Sequence, residues 1–172
     1  MNLTTKRICK DAILLAILCI IGMFSIPFGE NIKVSLQFLI VILICFITHS
    51  IMDSLVVTLA YLGLGFLLPI YAGFHAGITP TFGYVIGFVV ASVPTVLIIK
   101  IKPLNEIVRL AIASIVALLI IYFIGTLFMM LYLNLSLVKT LLVSVVPYIG
   151  FDLFKIVVAI TIYKILPRRI VE

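Results

Sequence analysis

Charge is what this sequence has least of. Only 10% of its 172 residues are Asp, Glu, Lys or Arg, while 65% are hydrophobic; a soluble domain carries about 25% charged and about 45–50% apolar residues. This deficit excludes an ordinary water-soluble fold and makes lipid the solvent. A bilayer core of about 30 Å takes about 20 apolar residues per helix, so the length admits six spans with short connections and leaves no separate soluble domain. The expected architecture is all-α, a polytopic membrane protein with six transmembrane helices and one integral membrane domain over residues 1–172.

Other absences narrow the function. No G-x-x-x-x-G-K-[ST] sequence is present, and too little water-exposed chain remains for a nucleotide-binding domain, so ATP-driven work would need another subunit. The three cysteines, Cys9, Cys19 and Cys45, lie in or beside apolar segments without C-x-x-C spacing, which argues against a zinc site or a disulfide framework; all three read as small buried hydrophobes. His75 has no second ligand nearby, so it reads as a loop residue or a solute contact and not as a metal site. No internal repeat is visible, so an inverted-repeat transporter is not supported. The excess of 12 basic over 6 acidic residues belongs to membrane topology and not to nucleic acid. Neither metal nor cofactor is expected.

The first span, 11–26, follows Lys6, Arg7 and Lys10. A basic flank also precedes signal peptides, but no small-residue cleavage site closes this run, so it is expected to be a retained span. Pro27, Gly29 and Asn31 mark a loop with Glu30 and Lys33; spans two and three, 36–47 and 55–68, flank a polar turn whose His49 and Asp53 read as solvated or as part of a docking surface. Residues 69–83 are rich in Gly and Pro and carry no charge. Irregular chain beside a span must be buried in protein or line a cavity, so this loop is expected to cap a pocket. The fourth and fifth spans are 82–99 and 107–133, 134–146 reads as an amphipathic hairpin or half-helix, and Pro147 and Gly150 introduce the last span, 151–166. Lys6, Arg7, Lys10, Lys100, Lys102, Arg109, Lys164, Arg168 and Arg169 fall on the side of the termini, and only Lys33 and Lys139 on the other. That bias predicts a multi-pass membrane protein with both termini in the cytoplasm.

Asp152 and Lys155 stand apart within the last span, three residues from each other. Charges inside spans face a cavity or a partner, and this spacing puts both on one helix face. Two readings stay open: an internal ion pair that fixes helix orientation, or a pair projecting into a pocket to meet a polar ligand. Gly83-x-x-x-Gly87 opens the fourth span and allows close helix packing. Ala12 and Ala16 lie one turn apart in the first span, read either as helix propensity or as a flat face for another membrane helix. An intramembrane enzyme would need a catalytic set within reach, and Asp152 has no such partners in the pattern; a channel would need repeated pore-lining polar residues. No catalytic residue is therefore assigned.

Four blocks together resemble the BioY family, the biotin-binding S components of energy-coupling factor (ECF) transporters. They are Ala12-x-x-x-Ala16; Val34-Ser35-Leu36-Gln37; Leu68-Pro69-Ile70-Tyr71-Ala72-Gly73 through Pro80-Thr81-Phe82-Gly83-Tyr84-Val85-Ile86-Gly87-Phe88; and Pro147-Tyr148-Ile149-Gly150-Phe151-Asp152-Leu153-Phe154-Lys155. The resemblance implies a six-helix vitamin-capture subunit, with the ligand near the outer face beneath the loops after the first and third spans. It implies a substrate site of Asp152 and Lys155 with Gln37, Tyr71, His75, Phe82, Tyr84 and Phe151, in which Asp152 accepts ring N–H bonds and Lys155 offers its charge. Ala12 and Ala16 would dock on a transmembrane coupling subunit of EcfT type, joined to two ABC-type ATPases that drive tilting of the loaded subunit.

Two departures bear on the ligand. The family's G-P-T-G-G-Y reads Thr79-Pro80-Thr81-Phe82-Gly83-Tyr84 here, and its P-G before the aspartate reads Gly150-Phe151. The third loop is also shorter and less glycine-rich. Glycine lets backbone approach a ligand closely, so phenylalanine at 82 and 151 is expected to narrow the pocket and make it more apolar. Lipoate, a carboxylic acid with a sulfur ring and no ureido group, is then an alternative substrate to biotin.

Overall fold

The structure, a computed structural model, describes residues 3–28 and 32–167. Gly29, Glu30, Asn31, Arg168, Arg169 and the side chain of Lys33, used above for the first loop and for orientation, lie outside the described residues. The described elements are α1 (Leu3–Met23), β1 (Ser25–Phe28), β2 (Ile32–Ser35), α2 (Gln37–Thr48), α3 (Ile51–Leu67), α4 (Phe82–Ile99), α5 (Glu106–Leu133), α6 (Leu137–Ser144) and α7 (Ile149–Ile165).

Helix α2 is the axis of the fold. Every one of its residues is buried, as an all-round apolar helix requires, and it packs against α1, α3, α4, α5 and α7. The surrounding helices turn an apolar stripe inward and a second one outward. On α5, Ile115, Leu119, Phe123, Leu127 and Leu131 follow one another at four-residue spacing and are all exposed. An apolar exterior on that scale belongs against lipid tails, and the chain is a multi-pass membrane protein. By length and composition α4 and α5 each suffice to cross, and α6 with α7 forms a third candidate bent by 49°.

The tightest pairing is α4 on α5, and glycine makes it possible. A Cβ at Gly87 would lie 2.9 Å from the Ile121 Cα, and one at Gly83 would lie 2.3 Å from the Phe128 Cβ. From the other helix, a Cβ at Gly125 would fall 2.4 Å from the Tyr84 ring. The small-residue spacing at 83 and 87 therefore does let two backbones approach.

Four expectations are corrected. The connection after α1, read as a loop, is flanked by two antiparallel strands that form a β-hairpin, with Ser25 opposite Ser35 and Ile26 opposite Val34; Pro27 is tolerated because a two-stranded ribbon is all edge. Asp53 is buried and not solvated. The start of α3 packs against α1, and Arg7 Nε and Nη2 donate to the two Asp53 carboxylate oxygens at 3.1 and 2.5 Å, a bidentate arrangement. His49 is half-buried in the left-handed region at φ 47°, with its Nε2 3.3 Å from the Tyr163 hydroxyl; burial lowers its pKa. Of the cysteines only Cys45 is buried, Cys9 being exposed on α1. Segment 134–146 resolves to the half-helix α6, whose Leu137, Val138 and Leu142 are exposed while Thr140 and Ser144 are buried; Val143 lines the cavity described below.

Candidate functional site

A cavity of about 440 Å³ opens between the hairpin, the start of α2, the 68–81 loop, and helices α4 to α7. The volume lies in the range of small-molecule sites. Much of its wall is apolar, including Phe38, Val85, Phe88, Leu118 and Ile121, and polar side chains enter as two groups.

The first group is built by α7 and α5. Pro147 stands in a turn that breaks the chain after α6, so α7 starts afresh and Asp152 falls in its first turn, where the helix dipole favours a carboxylate. Lys155, three residues on, donates to Asp152 Oδ1 at 2.6 Å. Tyr122 of α5 donates to Asp152 Oδ2 at 2.5 Å. Asp152 and Lys155 are both over nine-tenths buried, and all three residues line the cavity. The ion-pair reading and the pocket reading of Asp152 and Lys155 thus describe one arrangement. The carboxylate neutralises the ammonium, yet two Lys155 N–H donors and further Asp152 lone pairs are left over.

The second group comes from the hairpin, α2 and the loop. Ser35 Oγ accepts from the Gln37 N–H at 3.1 Å as α2 begins. Gln37 Nε2 donates to the Tyr61 hydroxyl at 2.5 Å, and Tyr61 donates to the Ile70 carbonyl at 2.9 Å. Loop 68–81 is stitched down: the Gly73 N–H reaches the Met23 carbonyl at 2.9 Å, Tyr71 and His75 exchange backbone bonds at 3.0 and 3.3 Å, and Gly77 N–H bonds the Gly65 carbonyl at 2.8 Å. Gly73 and Gly77 have φ of 80° and 73°, conformations that glycine adopts without strain. Tyr71 lies across Gly65, where any Cβ would fall 2.1 Å from its ring, and donates to the Leu62 carbonyl at 2.7 Å. Burial pushes the Tyr71 pKa up to about 12, so this phenol stays a donor. Ser25, Ser35, Gln37 and His75 all reach the wall here.

Six of the eight candidate substrate residues, Gln37, Tyr71, His75, Tyr84, Asp152 and Lys155, line this cavity. Phe82 and Phe151 do not, so neither narrows it by direct contact. Phe82 is turned into the packing of α3, α4 and α5, edge-on to Phe66 and Phe128 at 5.2 and 5.8 Å, and stands behind Tyr71 at 6.1 Å. Phe151 is half-buried on α7. Ala12 and Ala16 are exposed on α1, apart from the cavity. The pattern did not single out Tyr122 or Ser144, although a tyrosine in a long apolar span needs a partner for its hydroxyl and Asp152 was an available intramembrane acceptor.

The sequence matches the BioY family over residues 1–172. It is 32% identical over 172 residues to the biotin transporter BioY of Thermotoga maritima, an alignment covering 97% of this chain and 99% of that protein. In fold it resembles the crystal structure of the S-component for biotin from an ECF-type ABC transporter, with a TM-score of 0.80 at 20% sequence identity, over 95% of this chain and 93% of that one. Full-length agreement in sequence, with a cavity framed by the matching segments, makes this chain a member of the BioY family.

Proposed function

We propose that this chain is the substrate-capture S component of an ECF vitamin transporter and that its ligand is biotin. The observation that carries the reading is the neutralised Asp152–Lys155 pair, held by Tyr122, in a largely apolar cavity. Such a pair suits a neutral group with adjacent N–H donors and a carbonyl acceptor, which is what a cyclic urea offers: N–H to Asp152, carbonyl to Lys155. A carboxylate brought to the same place would meet Asp152 as a like charge. We assign the ligand's carboxylate to the hairpin end, where Ser25, Ser35 and His75 supply polar atoms. Lipoate shares the carboxylate but would leave Asp152 and Lys155 facing a sulfur ring without hydrogen-bonding groups, which favours biotin.

The membrane topology belongs to the same proposal. Six crossings are α1, α2, α3, α4, α5 and the bent pair α6–α7. Helix α2, with 12 residues, is about 18 Å long, short of the bilayer core; wholly enclosed by protein, it has no lipid thickness to match. Lys6, Arg7, Lys10, Lys100, Lys102, Arg109 and Lys164 remain the described basic residues of the end assigned to the cytoplasm. The links Arg7–Asp53 and Lys164–Glu106 join α1 to α3 and α7 to α5 at that end, which supports termini inside and the hairpin and 68–81 loop outside. Delivery then requires an EcfT-type subunit and two ATPases, with Ala12 and Ala16 as the docking face and no covalent chemistry in this chain.

Equilibrium binding of biotin and of lipoate to the detergent-purified protein tests the substrate. Biotin is expected to bind and resist displacement by lipoate; lipoate bound in preference to biotin would overturn the substrate assignment. Tyr122→Phe keeps the ring and removes the donor to Asp152. It is expected to weaken biotin binding about tenfold, the scale of one hydrogen bond to a charged group, as read by isothermal titration. Unchanged affinity would remove Tyr122 from the site.

A further inference from the structure

Tyr61 does not line the cavity, yet four parts of the chain converge on its hydroxyl. The residue belongs to α3 and is fully buried. It donates to the Ile70 carbonyl in loop 68–81 at 2.9 Å and accepts from Gln37 Nε2 of α2 at 2.5 Å. On the α1 side, a Cβ at Gly22 would fall 2.7 Å from the hydroxyl oxygen, so glycine there leaves the space that the hydroxyl fills. The Tyr61 ring also stands edge-on to Tyr71 at 5.6 Å. A phenol in an apolar helix needs a partner for its hydroxyl; this one takes a cavity residue, Gln37, and the loop that carries a second, Tyr71.

Counting hydrogens fixes the direction of this chain of bonds. A phenol has one proton to give, and the carbonyl of the buried Ile70 takes it. Toward Gln37 the hydroxyl then only accepts, so the amide turns Nε2 to Tyr61 and cannot turn Oε1 there. Gln37 is over nine-tenths buried and lines the cavity, and its Oε1 takes no hydrogen bond from the described residues. The two ends of an amide have opposite hydrogen-bonding sense, so a ligand meets one fixed pattern only where the amide is kept from turning over. We infer that Tyr61 is a positioning residue of the ligand site, holding Gln37 in the orientation that leaves Oε1 and the second Nε2 hydrogen for the bound molecule. Side chains that meet a ligand are held in this way by hydrogen bonds from the layer behind them. The inference rests on the biotin reading above and adds to it a residue that does not touch the ligand.

The test is a double-mutant cycle of Tyr61→Phe and Gln37→Met in the full chain in detergent, with biotin affinity read by isothermal titration. Methionine keeps the length of glutamine and removes the amide, and it leaves the Tyr61–Ile70 bond in place. Each single variant is expected to bind biotin about tenfold more weakly, the scale of one hydrogen bond, and the double variant no more weakly than Gln37→Met alone. Losses that multiply to about 100-fold in the double variant would mean that Tyr61 acts through packing and not through Gln37, and would overturn the inference. Unchanged affinity in either single variant would overturn it as well. Gly22→Ala keeps the cycle decisive if Tyr61→Phe does not fold, because it crowds the hydroxyl without removing a polar group; it is expected to weaken binding beside Gln37 and to have no effect beside Met at that position, and an equal loss in both backgrounds would overturn the inference. A wild type that does not bind biotin would overturn the biotin reading and the role of Tyr61 with it, whereas multiplying losses in a protein that binds biotin overturn that role alone.

Discussion

Lys155→Ala is expected to abolish biotin binding and to lower the melting temperature, whereas the double variant Asp152→Asn/Lys155→Met regains stability and still fails to bind. The two halves have separate causes. Removing Lys155 alone strands the Asp152 carboxylate, which is buried and, among the described residues, keeps the Tyr122 hydroxyl as its side-chain donor. Breaking one side of a buried ion pair costs about 3–5 kcal/mol, because the remaining charge keeps its desolvation without its partner, and a charge within a span has no water to recover. Replacing both members by uncharged side chains of similar size removes that penalty, and such replacements are often neutral or stabilising. Binding does not return, since the donors for the ligand carbonyl and the charged acceptor for its N–H groups are both gone. A hydrogen bond to a charged group contributes about 1.5–3 kcal/mol, so losing both contacts weakens binding by at least about 100-fold. Thermal unfolding with and without biotin reads both halves. A double variant that binds biotin like wild type would reduce the pair to a structural role, and a single variant that binds normally would do the same for Lys155.

This pair was legible in the sequence because charge inside an apolar run stands out against everything around it. The helices were legible for a related reason. Chain exposed to lipid must satisfy its backbone within a helix, so the fourth span, read as 82–99, coincides with α4, and the fifth is displaced by one residue at its start. Signals that depend on direction were not legible. Phe82 and Phe151 sit in segments matching the family, but spacing does not say whether a ring turns into a cavity or into the packing behind it, as Phe82 does. Asp53 looked like a turn residue because its partner Arg7 is 46 residues away.

Replacing Ala12 and Ala16 together with leucine is expected to stop energy-driven uptake while leaving biotin binding unchanged. Helix α1 is held from one side only: Leu14 and Leu18 turn into the core, and α1 packs on α2 and α3. Ala12 and Ala16 are exposed with Ile13, Ile17 and Ile20 on the remaining surface, so larger side chains there displace nothing within this chain and do not reach the cavity. Membrane helices gain little from the hydrophobic effect when they associate and depend on close backbone approach across small residues. Two leucines one turn apart would hold a partner helix away along the whole contact, and loss of a central interface contact of about 2 kcal/mol or more corresponds to at least about a 30-fold weaker complex. Uptake into proteoliposomes that contain the coupling subunit and its ATPases, set beside binding to the isolated chain, separates the two functions. Undiminished uptake would show that the partner docks elsewhere. Loss of binding in the isolated chain would show that α1 supports the cavity as well as the partner, because the hairpin that follows it carries Ser25 and Ser35 into the wall.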